Sequence, residues 1–448
     1  MAFLFLIVSC ESSVNTNRNL SSISISGSPL FSVSNVFFTA SSASDYGLTV
    51  NAYYSDSMPQ NVSTSAIISS PVSNTATTVT ISYTENGITK TAQLTGSYYV
   101  AASDALTQTV VSNGTTTINE TEFDLVKFGD YPQTIAGSGI SYSSSTVYNG
   151  WYLGSDGYFY ERLISSKLIG NNIANTFTDG TELENGKVYY FKIEPIEWRV
   201  LTDSYDHDQD STTSGKKFLF SEKVLLANVP FYGTFTNRSL NGNTIYANNY
   251  KYSNMRAYLN GIKNQFITDG GQEDDYNQDW SRGGFLQEAF TPAAQNLITT
   301  TKVSNSAEST TPYGYPNLIN SGVNIFACED TSDKIFNISL YEISCPDYGF
   351  REYDSRHRDE EDDTYKNDDI NRIRYATDYL MATYGRKDSR DNYGSYYQIR
   401  SPNYYYEDSL DTIYGGSLNS PSYDGDINSV SVVYYKYDGI CPALCLAN

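Results

Sequence analysis

Two alternating runs around residue 86 constrain the N-terminal part of this chain more than any other feature. Apolar and polar residues alternate at 79–83 and again at 88–94, and Asn86-Gly87 lies between the two runs. Alternation places the apolar side chains of a strand on one face, and Asn-Gly is the strongest two-residue hairpin signal. Similar short runs recur through residues 21–100. This region is therefore predicted to be an antiparallel β-sandwich.

The region from residue 123 onward mixes strand patterns with a few short helical ones. Strand and hairpin patterns occur at 123–128, 151–160, 188–201, 217–224 and 333–343. Ser253 is placed to cap a helix whose apolar residues recur every three or four positions. A second helical pattern follows at 285–290, and Thr291-Pro292 begins a third. This region is predicted to be an α+β domain, and the whole chain to be mostly β and multidomain.

The N-terminus resembles a bacterial lipoprotein signal. Residues 1–10 read MAFLFLIVSC, in which an apolar run too short to cross a bilayer precedes Cys10. Aliphatic and small residues before such a cysteine are similar to the lipoprotein processing box. The resemblance implies export, a membrane anchor on Cys10, and a location at the bacterial cell envelope or outer surface; the alternative is a frayed apolar end. Residues 11–20 are predicted to be a polar tether, and residues 101–122 a linker between the two domains.

Charge and the scarcity of histidine argue against several classes of function. The chain carries 51 acidic and 29 basic residues, a formal charge of −22, which would repel the phosphates of nucleic acids. Only two histidines are present, and neither lies in a catalytic or zinc-binding motif. The acidic loop at 203–210 begins like a calcium-binding loop but lacks its glycine and its final glutamate. That loop and the acidic stretch at 352–369 are predicted to be solvated, and no metal, cofactor or nucleic acid is expected.

The hairpin region is similar to a known domain family. VTISYTENGITKTAQL at 79–94, with LTVNAYYSD at 48–56, resembles the bacterial Ig-like domains of group 3. The resemblance covers residues 21–100 and implies an Ig-like β-sandwich that serves as a spacer or an adhesive module. It brings no site residue with it.

A second resemblance covers about residues 123–448. Nine separated motifs occur in order: VKFGDYPQT, IEWRVL, FLFSEKVL, SNMRAYLNGIKNQF, FLQEAF, DKIFNISLYE, RYATDYL, YYQIRSP and GICPALCL. The series resembles the bacterial domain-of-unknown-function family 6273, although Cys441 stands where that family usually has a basic residue. The family's closing elements are similar to those of C-type-lectin-like folds, which implies a fold but no function.

The segment from Tyr393 to Tyr437 has the composition of a binding surface. It holds 11 tyrosines in 45 residues, and Ser, Asn, Asp and Gly fill most of the gaps. Tyrosine offers a large, fairly rigid contact area, and the small polar residues offer adaptable hydrogen bonds; the alternative is a sheet face merely covered by rings. A loop is predicted at 403–428, among strands at 396–400, 430–435 and 440–446. The predicted ligand contacts are Tyr396, Tyr397, Arg400, Tyr404, Tyr405, Tyr406, Tyr414, Tyr423 and Asp424.

The cysteines are predicted to form disulfides. With Cys10 lipidated, four remain, an even number for an exported protein. If residues 440–446 form a strand, its two cysteines point to one face about 13 Å apart, which is too far for a disulfide between them. Each would then pair with one of the other two, in either of two connectivities, and the alternative is free buried thiols. The four candidates are Cys328, Cys345, Cys441 and Cys445.

Three interpretations of function remain open. The leading one is a lipid-anchored bacterial surface protein, in which an Ig-like spacer carries a Tyr-rich domain that binds an unknown extracellular protein or glycan. The second is a structural envelope lipoprotein without a specific ligand. The third is an enzyme related to the formylglycine-generating oxidases, which the C-type-lectin-like resemblance and the paired cysteines imply. No catalytic residue can be named from the sequence, so a non-enzymatic function is expected.

Overall fold

Strands make up most of the regular structure in this computed structural model, and most of their pairings are antiparallel. The chain divides between Ala101 and Ala102 into two units, each described separately below. The residues that the structure describes are 19–26, 34–37, 42–46, 48–55, 58–69, 78–95, 97–100, 109–118, 120–205, 215–234, 236–262, 282–315, 326–354, 368–388, 394–402, 417–424, 426–427 and 430–447.

The first unit is built from short strands, most of which pair antiparallel. Its described strands are β1 Leu20–Ser26, β2 Ser34–Phe37, β3 Thr49–Tyr54, β4 Gln60–Asn61, β5 Ile67–Ser69, β6 Thr78–Glu85, β7 Ile88–Thr95 and β8 Ser97–Val100. They form two three-stranded antiparallel sheets, in the orders β1-β3-β4 and β5-β6-β7, and a parallel β2-β8 pair. Val50, Ala52 and Ile81 are fully buried, because alternation turns these side chains toward the core.

The hairpin predicted at Asn86-Gly87 is confirmed. Strands β6 and β7 pair in register from Thr78 opposite Thr95 to Glu85 opposite Ile88. Both turn residues are left-handed, with φ of 50° at Asn86 and 77° at Gly87. This backbone matches the twist of the flanking strands, and asparagine and glycine are the residues that adopt it at least cost.

In the residues that the structure describes, the second unit combines many strands with five short α-helices. Its described strands are β9 Val111–Ile118, β10 Thr121–Ile135, β11 Tyr152–Leu153, β12 Phe159–Ile164, β13 Val188–Thr202, β14 Lys216–Ser221, β15 Lys223–Val224, β16 Arg238–Leu240, β17 Asn243–Ile245, β18 Thr301–Val303, β19 Thr331–Asp333, β20 Ile335–Asn337, β21 Tyr375–Ala376, β22 Ser417–Asn419, β23 Val430–Val432 and β24 Pro442–Ala447. Its described helices are α1 Asn254–Asn260, α2 Phe285–Ala289, α3 Pro292–Leu297, α4 Ala307–Thr310 and α5 Asp378–Ala382.

An eight-stranded sheet forms the centre of this unit. Its main path is β11-β12-β13-β14-β24-β20, and β10 pairs with both β13 and β9. Phe128, Trp198, Phe218 and Phe220 from its strands are fully buried. The strand β24 lies between β14 and β20 and is antiparallel to both. The final strand predicted at 440–446 is therefore present, although it begins two residues later and ends one residue later than expected.

Helix starts follow their local signals, as predicted. The Ser253 hydroxyl accepts a hydrogen bond from the backbone N–H of Arg256 and caps α1. Thr291 caps α3 in the same way, with Pro292 as the first helical residue. Across the part of the chain that the structure describes, no helix has the length and apolar character needed to cross a bilayer.

Several predicted elements differ from the structure. The predicted linker at 101–122 contains β9, which pairs with β10. This strand is largely solvated along its length, so it carries no apolar alternation by which a sequence could reveal it. Residues 396–400 form no strand; only Tyr397 makes an isolated parallel bridge, to Gly439. Within the strand predicted at 333–343, only Asp333, at the end of β19, and the three residues of β20 are in strands, and a 3-10 turn follows at Glu342–Ser344.

Candidate functional site

The predicted contact residues of the C-terminal segment fall into three groups. The first group lies outside the described part of the chain, at residues 403–416. The predicted lipidation site Cys10 lies outside it as well. That range contains four of the predicted contacts, namely Tyr404, Tyr405, Tyr406 and Tyr414. Tyr396, Tyr423 and Asp424 are half-buried at the surface. The remaining two, Tyr397 and Arg400, are completely buried.

Arg400 is a core residue, which corrects its assignment as a ligand anchor. Its guanidinium donates hydrogen bonds of 2.6 and 2.8 Å to the two carboxylate oxygens of Glu342, which is also fully buried. A further bond of 2.6 Å goes to the backbone oxygen of Asn337. The Tyr205 hydroxyl donates to the same carboxylate at 2.6 Å. Burial alone would lower the pKa of Arg400, but the Glu342 carboxylate raises it above its usual value and keeps the guanidinium charged.

Tyr397 also serves the core. Its hydroxyl donates a 2.8 Å hydrogen bond to the backbone oxygen of Arg372, and its ring packs near Phe220. Arg372 and Arg374 are themselves fully buried and donate to backbone carbonyls, among them those of Ile343 and Ser221. The YYQIRSP motif therefore connects loops through buried hydrogen bonds. Its second tyrosine and its arginine cannot contact a ligand at the surface.

A row of half-buried side chains continues from the predicted contacts Tyr396 and Tyr423. The rings of these two lie 5.4 Å apart, and the guanidinium of Arg386 lies 4.2 Å from the centroid of Tyr396. The Arg386 guanidinium also lies close enough to Tyr435 to oppose the rise in the pKa of that phenol that burial causes. Tyr435 and Tyr437 are 5.0 Å apart, and Tyr437 and Tyr384 are 5.7 Å apart. We call this row the aromatic strip; its members are Tyr384, Arg386, Tyr396, Tyr423, Tyr435 and Tyr437.

A cavity of about 400 Å³ opens at the Tyr384 end of the strip. Its walls come from strands β10 and β12, from helices α1, α2 and α5, and from neighbouring loops. We call it the tyrosine cavity and define it by Tyr131, Glu161, Tyr258, Arg282, Glu288, Tyr379 and Tyr384. Tyr384 thus belongs to both features. This cavity was not predicted from the sequence.

Ionic and phenolic groups are fixed in the walls of the tyrosine cavity. Arg282 and Glu161 form a two-bond pair, with distances of 2.8 and 3.0 Å between guanidinium nitrogens and carboxylate oxygens. Burial alone would lower the pKa of Arg282, but Glu161 raises it above its usual value. The Tyr258 hydroxyl donates to a Glu288 oxygen at 3.3 Å. Bidentate arginine–carboxylate geometry is the most directional of these contacts and holds that wall in place.

The phenols of Tyr131 and Tyr379 keep their protons at neutral pH. Burial raises the pKa of each well above its usual value, and the nearby carboxylate of Glu288 raises both further. Their rings meet edge to face at 5.8 Å, and Tyr131 also contacts Phe285 at 5.2 Å. Both hydroxyls can therefore act as hydrogen-bond donors on a rigid support.

Tyr384 has an unusual backbone for a tyrosine. It follows α5 and its C-cap Thr383 with φ of +73°, the left-handed conformation that glycine usually supplies at this position. For a residue with a Cβ atom, this conformation costs roughly 1–2 kcal/mol, because Cβ comes too close to the backbone. Such strain persists where the surrounding structure requires it, and it concentrates at functional sites. Tyrosine directly after a helix pattern, with Gly385 one residue later, is the signal by which the sequence could have indicated this site.

The predicted disulfides do not form in the structure. Cys328, Cys345, Cys441 and Cys445 are all free. Burial raises the pKa of Cys328 and Cys345 to about 11 and that of Cys445 to about 12. It also raises the pKa of Cys441, beside Ser221. These thiols are therefore protonated at neutral pH and behave as small core side chains.

Side chains that could ligate a metal ion are not clustered in the described ranges. Within them, no three His, Cys, Asp or Glu side chains are grouped so that they could hold a metal ion. The acidic loops considered from the sequence fall largely at 206–214 and 355–367, outside those ranges.

Comparison with known proteins gives one match. No curated protein and no solved structure matches the chain. The family described as Domain of unknown function (DUF6273) matches residues 214–448, just over half of the chain. The matched part begins near β14, later than the start expected at 123, and includes the whole aromatic strip. The chain therefore belongs to the DUF6273 family.

Proposed function

We propose that this protein is a lipid-anchored bacterial surface protein that binds an extracellular protein or glycan through the aromatic strip. The observation that carries the proposal is the continuity of the strip, in which six half-buried side chains lie next to one another in a row. Tyrosine and arginine are the residues enriched at the energetic centres of binding surfaces. Their rings are held by one another, so little side-chain entropy is lost on binding.

The rest of the chain presents this surface. In the proposal, Cys10 carries the lipid and the first unit is an Ig-like spacer. The two three-stranded antiparallel sheets of that unit and the β6–β7 hairpin support the spacer role. A C-type-lectin-like fold for the second unit remains part of the proposal and rests on the motif series. The formal charge of −22 favours a partner other than nucleic acid.

The proposal is tested by screening the full chain on glycan arrays and on arrays of extracellular proteins. Variants Tyr396→Ala and Tyr423→Ala should weaken binding of any captured ligand by about tenfold or more, as truncation of a central aromatic contact does. Tyr375→Ala is the matched control, because Tyr375 is 47% exposed and lies outside the strip. Ligand capture that is unchanged in both variants would reject the aromatic strip as the binding surface. If the full chain captures no ligand, a structural envelope role would be favoured.

A further inference from the structure

We infer that the tyrosine cavity is a second binding site, which takes a neutral polyhydroxylated ligand of the monosaccharide class. The site is separate from the surface proposed above and touches it only at Tyr384. Three observations lead to this ligand class: the balance of charges in the walls, the kinds of hydrogen-bonding group present, and the shape and rigidity of the space.

Among the described residues, the walls carry no net charge. Four charged residues line the cavity, Glu161 and Glu288 against Arg162 and Arg282. Glu161 and Arg282 already neutralise each other through two hydrogen bonds. A cationic or anionic ligand would lose its hydration without meeting a net opposite charge, and burying a charge without compensation is costly. The charge balance therefore favours a neutral ligand.

The hydrogen-bonding groups suit a molecule with many hydroxyls. Protonated phenols of Tyr131 and Tyr379 are donors, and the Glu288 carboxylate is an acceptor. Asn228 in the walls offers both functions, and the Thr383 hydroxyl, which donates to the backbone oxygen of Leu380, can accept. A sugar hydroxyl donates one hydrogen bond and accepts others, so adjacent hydroxyls can match such an alternating set. A ligand lacking them would leave buried polar groups unpaired, which is the basis of strong discrimination.

Apolar surface completes the match. Leu163, Leu226, Ala227 and Ala382 also line the space, alongside the tyrosine rings. A sugar ring presents C–H groups on its faces and hydroxyls around its edge. Apolar walls with a few placed polar groups are typical of small-molecule sites. The cavity can thus cover both kinds of sugar surface.

The space is preformed and small. Tyr131, Tyr258, Glu288 and Tyr379 lie on β10, α1, α2 and α5, four elements of one core. A volume of about 400 Å³ lies toward the lower end of the roughly 300–1,000 Å³ usual for ligand pockets. It therefore suits one sugar unit rather than an extended chain. Asn228, with φ of +63°, joins Tyr384 as a second left-handed residue in the walls.

The test uses sugars of one ring size that differ in charge. Binding to the full chain is followed by saturation-transfer NMR for glucose, galactose and N-acetylglucosamine, which are neutral, and for cationic glucosamine and anionic glucuronate. At least one neutral sugar should bind, and both charged sugars should bind about tenfold or more weakly. Equal or tighter binding of a charged sugar would overturn the inference, and so would absence of binding by every neutral sugar at millimolar concentration. This comparison needs no variant.

Variants then locate the binding. Tyr131→Phe and Tyr379→Phe each remove one hydroxyl and keep the ring. Each should lower the affinity for the neutral sugar by about threefold to tenfold. Tyr190→Phe is the matched control, because its ring stacks on Tyr142 away from the cavity. Unchanged affinity in both cavity variants would overturn the assignment. The strip variant Tyr423→Ala should leave sugar binding unchanged, so failure of this inference and failure of the proposed function are separate results.

Discussion

Replacing Arg400 by methionine should destabilise the second unit by about 3–5 kcal/mol near neutral pH, the usual cost of removing one partner from a buried ion pair. Arg400 and Glu342 are both fully buried, and the substitution removes a donor from each carboxylate oxygen. The Tyr205 hydroxyl at 2.6 Å and the backbone N–H of Ser339 at 2.7 Å remain as donors to Glu342. Two neutral donors do not compensate a buried charge of this kind.

The loss of stability in Arg400→Met should depend on pH. Its direction follows from the number of protons that the folded and unfolded states bind. In the folded variant, the uncompensated Glu342 carboxylate becomes neutral by taking up a proton, whereas in the unfolded chain it is solvated. The folded variant then binds more protons than the unfolded chain, so its stability falls as pH rises. The deficit relative to the unsubstituted protein should be smaller at pH 5 than at pH 8.

Urea unfolding followed by tryptophan fluorescence measures this loss. Trp151, Trp198 and Trp280 are the three tryptophans, and all belong to the second unit, so the signal reports that unit alone. With a slope of about 3 kcal/mol per molar urea, the midpoint should fall by about 1–1.7 M. Arg162→Met is the control, since Arg162 is exposed and its loss should change stability by about 0.5 kcal/mol or less.

A paired variant separates charge from packing. Arg400→Met combined with Glu342→Leu should recover part of the lost stability, because an apolar pair has no charge to desolvate. A loss below about 1 kcal/mol in Arg400→Met, or equal losses at pH 5 and pH 8, would refute the buried pair. Arg400 would then return to the candidate ligand contacts.

Three further outcomes are expected. Burial raises the pKa of Asp438 from 3.8 to about 6. Because the folded protein then binds this proton more tightly than the unfolded chain, the free energy of unfolding should fall by about 3 kcal/mol as pH rises from about 4 to 6. Asp438→Asn should remove that fall in urea titrations between pH 4 and pH 7. Limited proteolysis should leave a folded fragment that begins before Val111, because β9 pairs with β10; mass spectrometry that finds a stable core starting at 119–123 would contradict this pairing. Cys10→Ala should abolish incorporation of labelled fatty acid and move the protein out of the detergent phase, and labelling that persists would reject the lipid anchor.

Features encoded within a few residues were predictable from the sequence. The turn at Asn86-Gly87 and the caps at Ser253 and Thr291 depend on a local backbone conformation and a local hydrogen bond. The family resemblance was also recoverable, because ordered motifs span the region. The strand β9 was not, since a solvated strand has no apolar period.

The site depends on contacts that a single sequence does not encode locally. Tyr131, Tyr258 and Tyr379 meet from a strand and two helices that are far apart in the chain. Nothing in their neighbouring residues distinguishes them among 41 tyrosines. Arg400 illustrates the opposite error: its local composition resembles a binding loop, and only its distant partner Glu342 shows that it belongs to the core.

The position of β24 has a consequence for biosynthesis. Residues 442–447 form a strand inside the central sheet, with β14 on one side and β20 on the other. Until the ribosome has released these residues, β14 and β20 lack their shared neighbour and expose unpaired backbone edges. Such edges bind other chains readily, and pairing between distant segments is slow to form. A chain truncated before residue 442 should therefore aggregate or be degraded rather than persist as a shorter folded protein, and the nascent chain must be kept from associating with other chains until this strand has been synthesised.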